Sequence, residues 1–173
     1  VKRAKLREER CYLLKLPLAP IGQGRPRAAR TQRGVTIYDP VASKRWKKDA
    51  KMLALIARGV RELPTGPVAL TIVQIFKRPQ KDRSPKMVWQ PKKPDVDNVD
   101  KLVLDSLEGI VYSNDSQVIQ LTSSKLLAPA GILGQVLVHV KLEPRITWPF
   151  GLASIWDGCC CWDDELDMLR RTV

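Results

Sequence analysis

The chain's 173 residues leave room for one sizeable core, and 44% hydrophobic residues is ordinary for a globular domain. Its 30 Lys and Arg against 18 Asp and Glu give a formal charge of +12, a field that attracts polyanions, so nucleic acid leads as the partner class, ahead of basicity that serves solubility alone. A membrane role lacks support: no stretch approaches the roughly 18 consecutive apolar residues of a span, VKRAKLREER lacks a signal peptide's apolar run, and neither an amphipathic anchor nor a lipidation motif accompanies the charge.

In chain order, residues 1–10 read as a basic extension, and residues 11–16 as a short strand stopped by Pro17. Residues 17–40 are rich in Gly, Pro and Arg and too poor in apolar residues to pack, which predicts an extended surface arm. Arg25, Arg27, Arg30 and Arg33 in this arm are either phosphate contacts or solvated loop charges. Residues 41–60 read as a helix with Trp46, Ala50, Leu53 and Ala57 on one face. Lys44, Lys47, Lys48 and Lys51 gather opposite, where like charges repel and a phosphate backbone relieves them. Residues 68–76 are apolar at both alternating sets of positions, the mark of a central strand covered on both faces.

Residues 77–94 combine prolines and lysines and predict a mobile basic loop, in which Trp89 is either an anchor or a platform for an unpaired base. Val99, Leu102, Val103 and Leu107 then have helical spacing, predicting a helix over 98–108 with Asp97 as N-cap, Asp100 at N3 and Gly109 as terminator. Residues 117–127 and 134–142 read as strands. The second turns Val136, Val138 and Val140 inward and His139 outward, as a structural or solvated histidine. Beyond Pro144 the chain is Trp-rich, then acidic, and reads as an appended short helix. Cys11 stands alone and Cys159, Cys160 and Cys161 are contiguous, which fits neither a disulfide framework nor a zinc site and marks bystander thiols.

The densest acid cluster in this basic chain lies in residues 93–118. Asp95 and Asp97 fall where an extended segment meets a helix N-terminus, and i,i+2 spacing in extended chain sends both carboxylates to one side, an arrangement suited to Mg²⁺. Lys101 shares a helix face with Asp97 and Asp105. It is placed either to neutralise charge on an attacked phosphate or to form an ordinary salt-bridge ladder. Asp115 opens the next strand, and a compact helix-turn-strand unit is expected to bring it back towards Asp95. A lone D-x-D also occurs in turns, helix caps and sugar-nucleotide enzymes, and the basic setting favours a phosphodiester.

Pro94-Asp95-Val96-Asp97-Asn98, then Lys101, Asp105, Leu107, Gly109 and Asn114-Asp115-Ser116-Gln117-Val118 together resemble the RusA family of Holliday-junction resolvases in order and spacing. Arg25-Pro26-Arg27 and Tyr38-Asp39-Pro40 resemble that family's N-terminal region, and the likeness covers roughly residues 11–143. It implies a small α+β fold with a mixed sheet and helices packed on it, a homodimer, and a Mg²⁺-dependent endonuclease that nicks a four-way junction symmetrically in DNA recombination and repair. Mn²⁺ is a substitute metal, and no organic cofactor or membrane is implied. Asp95, Asp97 and Asp115 are the implied metal ligands and Lys101 the implied catalytic lysine, with Arg25, Arg27, Lys44, Lys47, Lys48 and Lys51 expected on DNA. Members often carry an acidic pair where this chain has Asn114-Asp115, and the second acid is the one carried over. The resemblance places the protein in a bacterial cytoplasm, in a family often encoded by phages or prophages.

The expected organisation is an extension over 1–10, the nuclease domain over 11–143 and a C-terminal extension over 144–173. Paired cuts favour a two-fold dimer, formed through the sheet edge of residues 117–127 in preference to the Trp-rich tail. The alternative function is a non-catalytic branched-DNA-binding protein whose acids only cap a helix. A metal-dependent glycosyltransferase needs a nucleotide-binding domain for which the chain is too short.

Overall fold

The computed structural model describes residues 11–31 and 34–142. The expectations for residues 1–10, Arg33, the tail with Trp148, Trp156 and Trp162, and the Cys159–161 run lie outside them.

The strands are β1 (Cys11–Leu16), β2 (Arg27–Thr31), β3 (Gly34–Tyr38), β4 (Val68–Phe76), β5 (Val88–Trp89), β6 (Val118–Leu127) and β7 (Gln135–Leu142). Two helices, α1 (Val41–Arg58) and α2 (Val96–Leu107), interleave with them. Five strands form one mixed sheet in the order β1-β7-β4-β6-β5. β4 and β6 are parallel and joined through α2, and the other neighbours are antiparallel. This is the expected α+β class. No helix among the described residues is long and apolar enough to cross a membrane.

Alternation builds the core. Leu14 and Leu16 of β1, Leu70 and Ile72 of β4, and Val136, Val138 and Val140 of β7 pack with Trp46, Ala50 and Ala54 of α1 and Val99, Leu102, Val103 and Leu107 of α2. Each fully buried aliphatic side chain here contributes about 1.5–3 kcal/mol relative to exposure. On the other face Ile75, Leu137 and Ala128 form a smaller cluster with Leu13 and Val73. β4 is therefore the doubly covered central strand that its sequence predicts.

Several local expectations need correction. Residues 17–40 are not a wholly extended arm. β2 and β3 pair as an antiparallel hairpin, in which Gly34 supplies a φ of 126° that a side chain disfavours and the β-branched run Val35-Thr36-Ile37 supplies strand propensity. The root of the hairpin packs inward, with the Trp46 indole donating to the Ala19 carbonyl at 2.9 Å. In α1 the buried set is Ser43, Trp46, Ala50 and Ala54, and Ala57 is exposed, because i,i+4 spacing from Trp46 leads to Ala54.

His139 lies on the sheet face opposite Val138 and Val140, yet it is buried, in register with Leu13 and Thr71 of the flanking strands. Burial, aided by the charge of Lys141, holds its pKa below the ordinary value. Loop 77–94 is also tied down. Buried Arg78 donates to the Ala128 carbonyl at 2.8 Å, to the Lys86 carbonyl and to the Asp82 carboxylate, and β5 adds a short antiparallel pairing to the end of β6.

Candidate active site

Asp95 is the N-cap of α2, with extended backbone, and its carbonyl accepts from the Val99 N–H at 3.3 Å. Its carboxylate makes no capping hydrogen bond and has no partner among the described residues. The helix therefore starts two residues before the expected Asn98, and Asp97 sits inside its first turn. The predicted capping box fails because Asp100 is drawn into the sheet. Both Asp95 and Asp97 remain exposed at the positive end of the helix macrodipole, where negative charge is favoured.

A buried polar network fixes this helix start. The Gln74 amide nitrogen lies 2.7 Å from Asp100 Oδ1, 3.1 Å from the Val96 carbonyl and 3.1 Å from Ser123 Oγ, and the Ser123 hydroxyl donates to Asp100 Oδ1 at 2.8 Å. Burial pushes the Asp100 carboxyl up, the bonds from Ser123 and Gln74 pull it back in part, and the charge of Asp97 raises it further. Lys125 completes the anchorage by donating to the Lys92 and Pro94 carbonyls, just before Asp95. Gln74, Ser123 and Lys125 have no part in the sequence expectations, and Asp100 has there only the N3 place of a capping box. The available signal was Gln74, a polar residue on the core face of an apolar strand. Gln74→Leu is expected to lower unfolding stability by about 1–3 kcal/mol, read by urea denaturation, because buried Asp100 and the Val96 carbonyl lose a donor.

Asp105 lies in a second cluster. It accepts from Lys47 at 2.9 Å and from the Gln23 amide at 3.1 Å, and Lys47 also reaches Asp39 at 3.1 Å. Burial pulls the Lys47 pKa down, but hydrogen bonds and charge from Asp105 and Asp39 outweigh it and leave it raised. Lys47 is thus half-buried and ion-paired, apart from the exposed stripe that the sequence groups it with. Lys44, Lys48 and Lys51 do face solvent, as do Arg25 and Arg27 at the hairpin. The hairpin root meets α2 where the Gln23 N–H donates to the Asn98 carbonyl at 3.1 Å. A Cβ on Gly22 would come within 2.8 Å of the Asn98 Nδ2 and 3.1 Å of the Pro94 Cβ, so glycine eases the close approach of the hairpin root to the start of α2. With Asp105 paired to Lys47, the predicted ladder through Lys101 does not form. Lys101 is exposed and has no ion pair among the described residues.

Asp115 begins a single 3-10 turn (Asp115–Gln117) leading into β6, as its sequence position predicts. Asn114 caps that turn by accepting from the Ser116 N–H at 2.9 Å, and Gln117 fastens it to the Pro64 and Gly66 carbonyls. Asn114 therefore has a structural use that an acid could also supply.

The three aspartates do not converge within one chain. β4 and β6 run parallel from Val68↔Val118 to Phe76↔Leu127, so Asp115 lies at the start of β6 while Lys125, near its far end, holds Pro94. Val118 lies five residues along β6 from Ser123, which bonds Asp100, and Asp97 lies a helical turn further on. The separation of Asp115 from the Asp95–Asp97 pair is thus on the order of 20 Å. Among the described residues no group of three or more His, Cys, Asp or Glu is placed to hold a metal. The cause is the crossover: α2 runs antiparallel to both strands, so its start and the start of β6 fall at opposite ends of the sheet.

The family model for endodeoxyribonuclease RusA matches residues 17–141, a span that holds both clusters and Asp115. The uncharacterized protein YqaN of Bacillus subtilis (strain 168) is 36% identical over 118 residues, which cover 61% of this chain and 80% of that protein. With a match that runs through the hairpin, both aspartates at the first turn of α2 and Asp115, the chain belongs to the RusA family of endodeoxyribonucleases.

Proposed function

We propose that the protein is a Mg²⁺-dependent, structure-selective endonuclease that acts as a homodimer and resolves four-way DNA junctions by paired symmetric nicks. The observation that carries this reading is the pair Asp95 and Asp97, without hydrogen-bond or ion-pair partners among the described residues, at a helix start fixed by a buried network, within a chain of this family. The donor set suits the ion, because Mg²⁺ is commonly held by one or two carboxylates together with water and substrate phosphate oxygens. A divalent cation there supplies Lewis-acid polarisation of the phosphodiester and a lowered pKa for the attacking water, and Mn²⁺ is a workable substitute.

The chain's own residues do the rest. Lys101 lies one helical turn beyond Asp97 and is free to meet negative charge building on the attacked phosphate. Arg25, Arg27, Lys44, Lys48 and Lys51 provide phosphate contacts whose affinity falls steeply with salt.

Asp115 enters from a second copy. The outer edge of β6 is unpaired among the described residues over 118–124, because β5 and Gln90 cover only Lys125, Leu126 and Leu127. Ile119 at 60% and Leu121 at 42% are exposed on that strand. An exposed strand edge with apolar side chains is a template for pairing. Antiparallel pairing of two β6 edges about a two-fold axis near Leu121 sets the Asp115 end of one strand beside the Lys125 end of its mate. Each dimer then has two composite acid sites, one for each strand to be cut.

The test is cleavage of a four-way junction against a linear duplex of equal length, with Mg²⁺ or with EDTA. Symmetric nicks in opposing strands of the junction, only with metal, are expected. Tight junction binding with no cutting in Mg²⁺ or Mn²⁺ would leave the non-catalytic alternative standing.

A further inference from the structure

We propose that Trp89 is a base-stacking residue that takes an unpaired base of branched DNA while cations of loop 77–94 hold the adjoining phosphates. The inference rests on the nuclease reading above and adds to it a residue that selects branched over continuous DNA.

Lys77, Lys81, Arg83, Lys86, Lys92 and Lys93 are all exposed on this loop, and its one acid, Asp82, is taken by buried Arg78. The outward charge is therefore positive throughout. Among these cations stands Trp89, 72% exposed. An indole left in water forgoes the burial of a large apolar surface, and a slack loop would fold it away.

This loop is held at both ends. Arg78 binds the Ala128 and Lys86 carbonyls upstream of Trp89. Trp89 itself pairs with Leu126, the Gln90 N–H donates to the Lys125 carbonyl at 3.0 Å, and Lys125 reaches forward to Lys92 and Pro94. The ring is thus presented from a fixed backbone at the sheet edge, at the end of the sheet that carries Asp95 and Asp97.

A fixed aromatic face among cations matches a flat π-face joined to anions, which is an unstacked nucleotide. A continuous duplex offers no free base face at its interior, whereas a strand crossover does. The cations around the ring complement an anionic partner, and a second copy as the occupant is an outcome that the test separates.

The test uses the full chain, with Trp89→Ala and Trp89→Phe, and a four-way junction carrying 2-aminopurine at the crossover. Binding is read in EDTA beside a linear duplex of equal length. With the unaltered protein the 2-aminopurine should be dimmer in the complex than with Trp89→Ala. Trp89→Ala should bind the junction on the order of tenfold more weakly with duplex affinity changed less than about twofold, and Trp89→Phe should keep most of both properties. Equal weakening on junction and duplex, or an unchanged 2-aminopurine signal, overturns the assignment. So does conversion of the Trp89→Ala protein to a monomer in sedimentation, which gives the ring to a protein contact. Failure of the unaltered protein to cut any junction in Mg²⁺ defeats the nuclease reading instead, and the binding comparison in EDTA still decides Trp89.

Discussion

Asp97→Asn is expected to lower junction cleavage by on the order of 10³-fold, equivalent to about 4 kcal/mol of lost transition-state stabilisation, while junction binding at low salt stays intact or tightens. The carboxylate is exposed and makes no ion pair among the described residues, so the substitution removes no packing contact. It removes one oxygen donor for the cation and one negative charge that opposes the DNA phosphates, and salt screening will shrink the second effect. Gel-shift titration in EDTA and nicking in Mg²⁺, on the same protein preparation, separate the two. Cutting within about tenfold of the unaltered protein would remove Asp97 from the site. Parallel loss of binding and cutting would point to a folding defect, which the denaturation midpoint would reveal. Asp95→Asn and Asp115→Asn should behave alike, because the proposal gives all three carboxylates to one cation.

The parts of the fold legible in the sequence are those where periodicity is long and uninterrupted. β1 and β4 fall where alternation places them, and β6 and β7 begin one residue later than expected, because pleated strands buried in a core leave an unmistakable pattern. The start of α2 was less legible. Asp97 with Asp100 has the spacing of a capping box, but Gln74 on a strand more than twenty residues upstream competes for Asp100, and nothing local to the helix announces that. Lys47 is a similar case: its helix-face neighbours are lysines, while its partners Asp39 and Asp105 arrive from a loop and from the other helix. The hairpin of β2 and β3 was hidden by the arginines and glycines around it, since a pair of strands standing off the main sheet needs little hydrophobic alternation.

The acid site divides in the same way. That Asp95 and Asp97 both fall at a helix start follows from local spacing and holds in the structure, but Asp97 lies inside the first turn, so the extended i,i+2 geometry expected to send both carboxylates to one side does not apply. That Asp115 returns to them within one chain did not follow, because a parallel crossover carries the chain the full length of a helix before the next strand begins.

Mixing two inactive variants should restore cutting. If each site takes Asp95 and Asp97 from one subunit and Asp115 from the other, a mixed dimer of Asp97→Asn and Asp115→Asn holds one doubly altered site and one fully intact site. Random pairing makes half of the dimers mixed, so the mixture should nick at about one quarter of the unaltered rate per site, from a near-zero level for either variant alone. The product should also differ. With one intact site per dimer, a junction is nicked in one strand and not resolved, so singly nicked DNA accumulates where the unaltered protein yields two ligatable duplexes. Co-expression with different affinity tags isolates the mixed dimer and sharpens the comparison. A mixture of Asp95→Asn with Asp97→Asn is the control. Both lesions then fall on the same half of the composite site, neither site of the mixed dimer is whole, and no rescue is expected. A site built within one chain predicts no rescue from either mixture, since every subunit would carry its own lesion. Rescue by the first mixture and not by the second is therefore the outcome that only a shared site produces, and silence from both would return Asp115 to its own chain or remove it from the site.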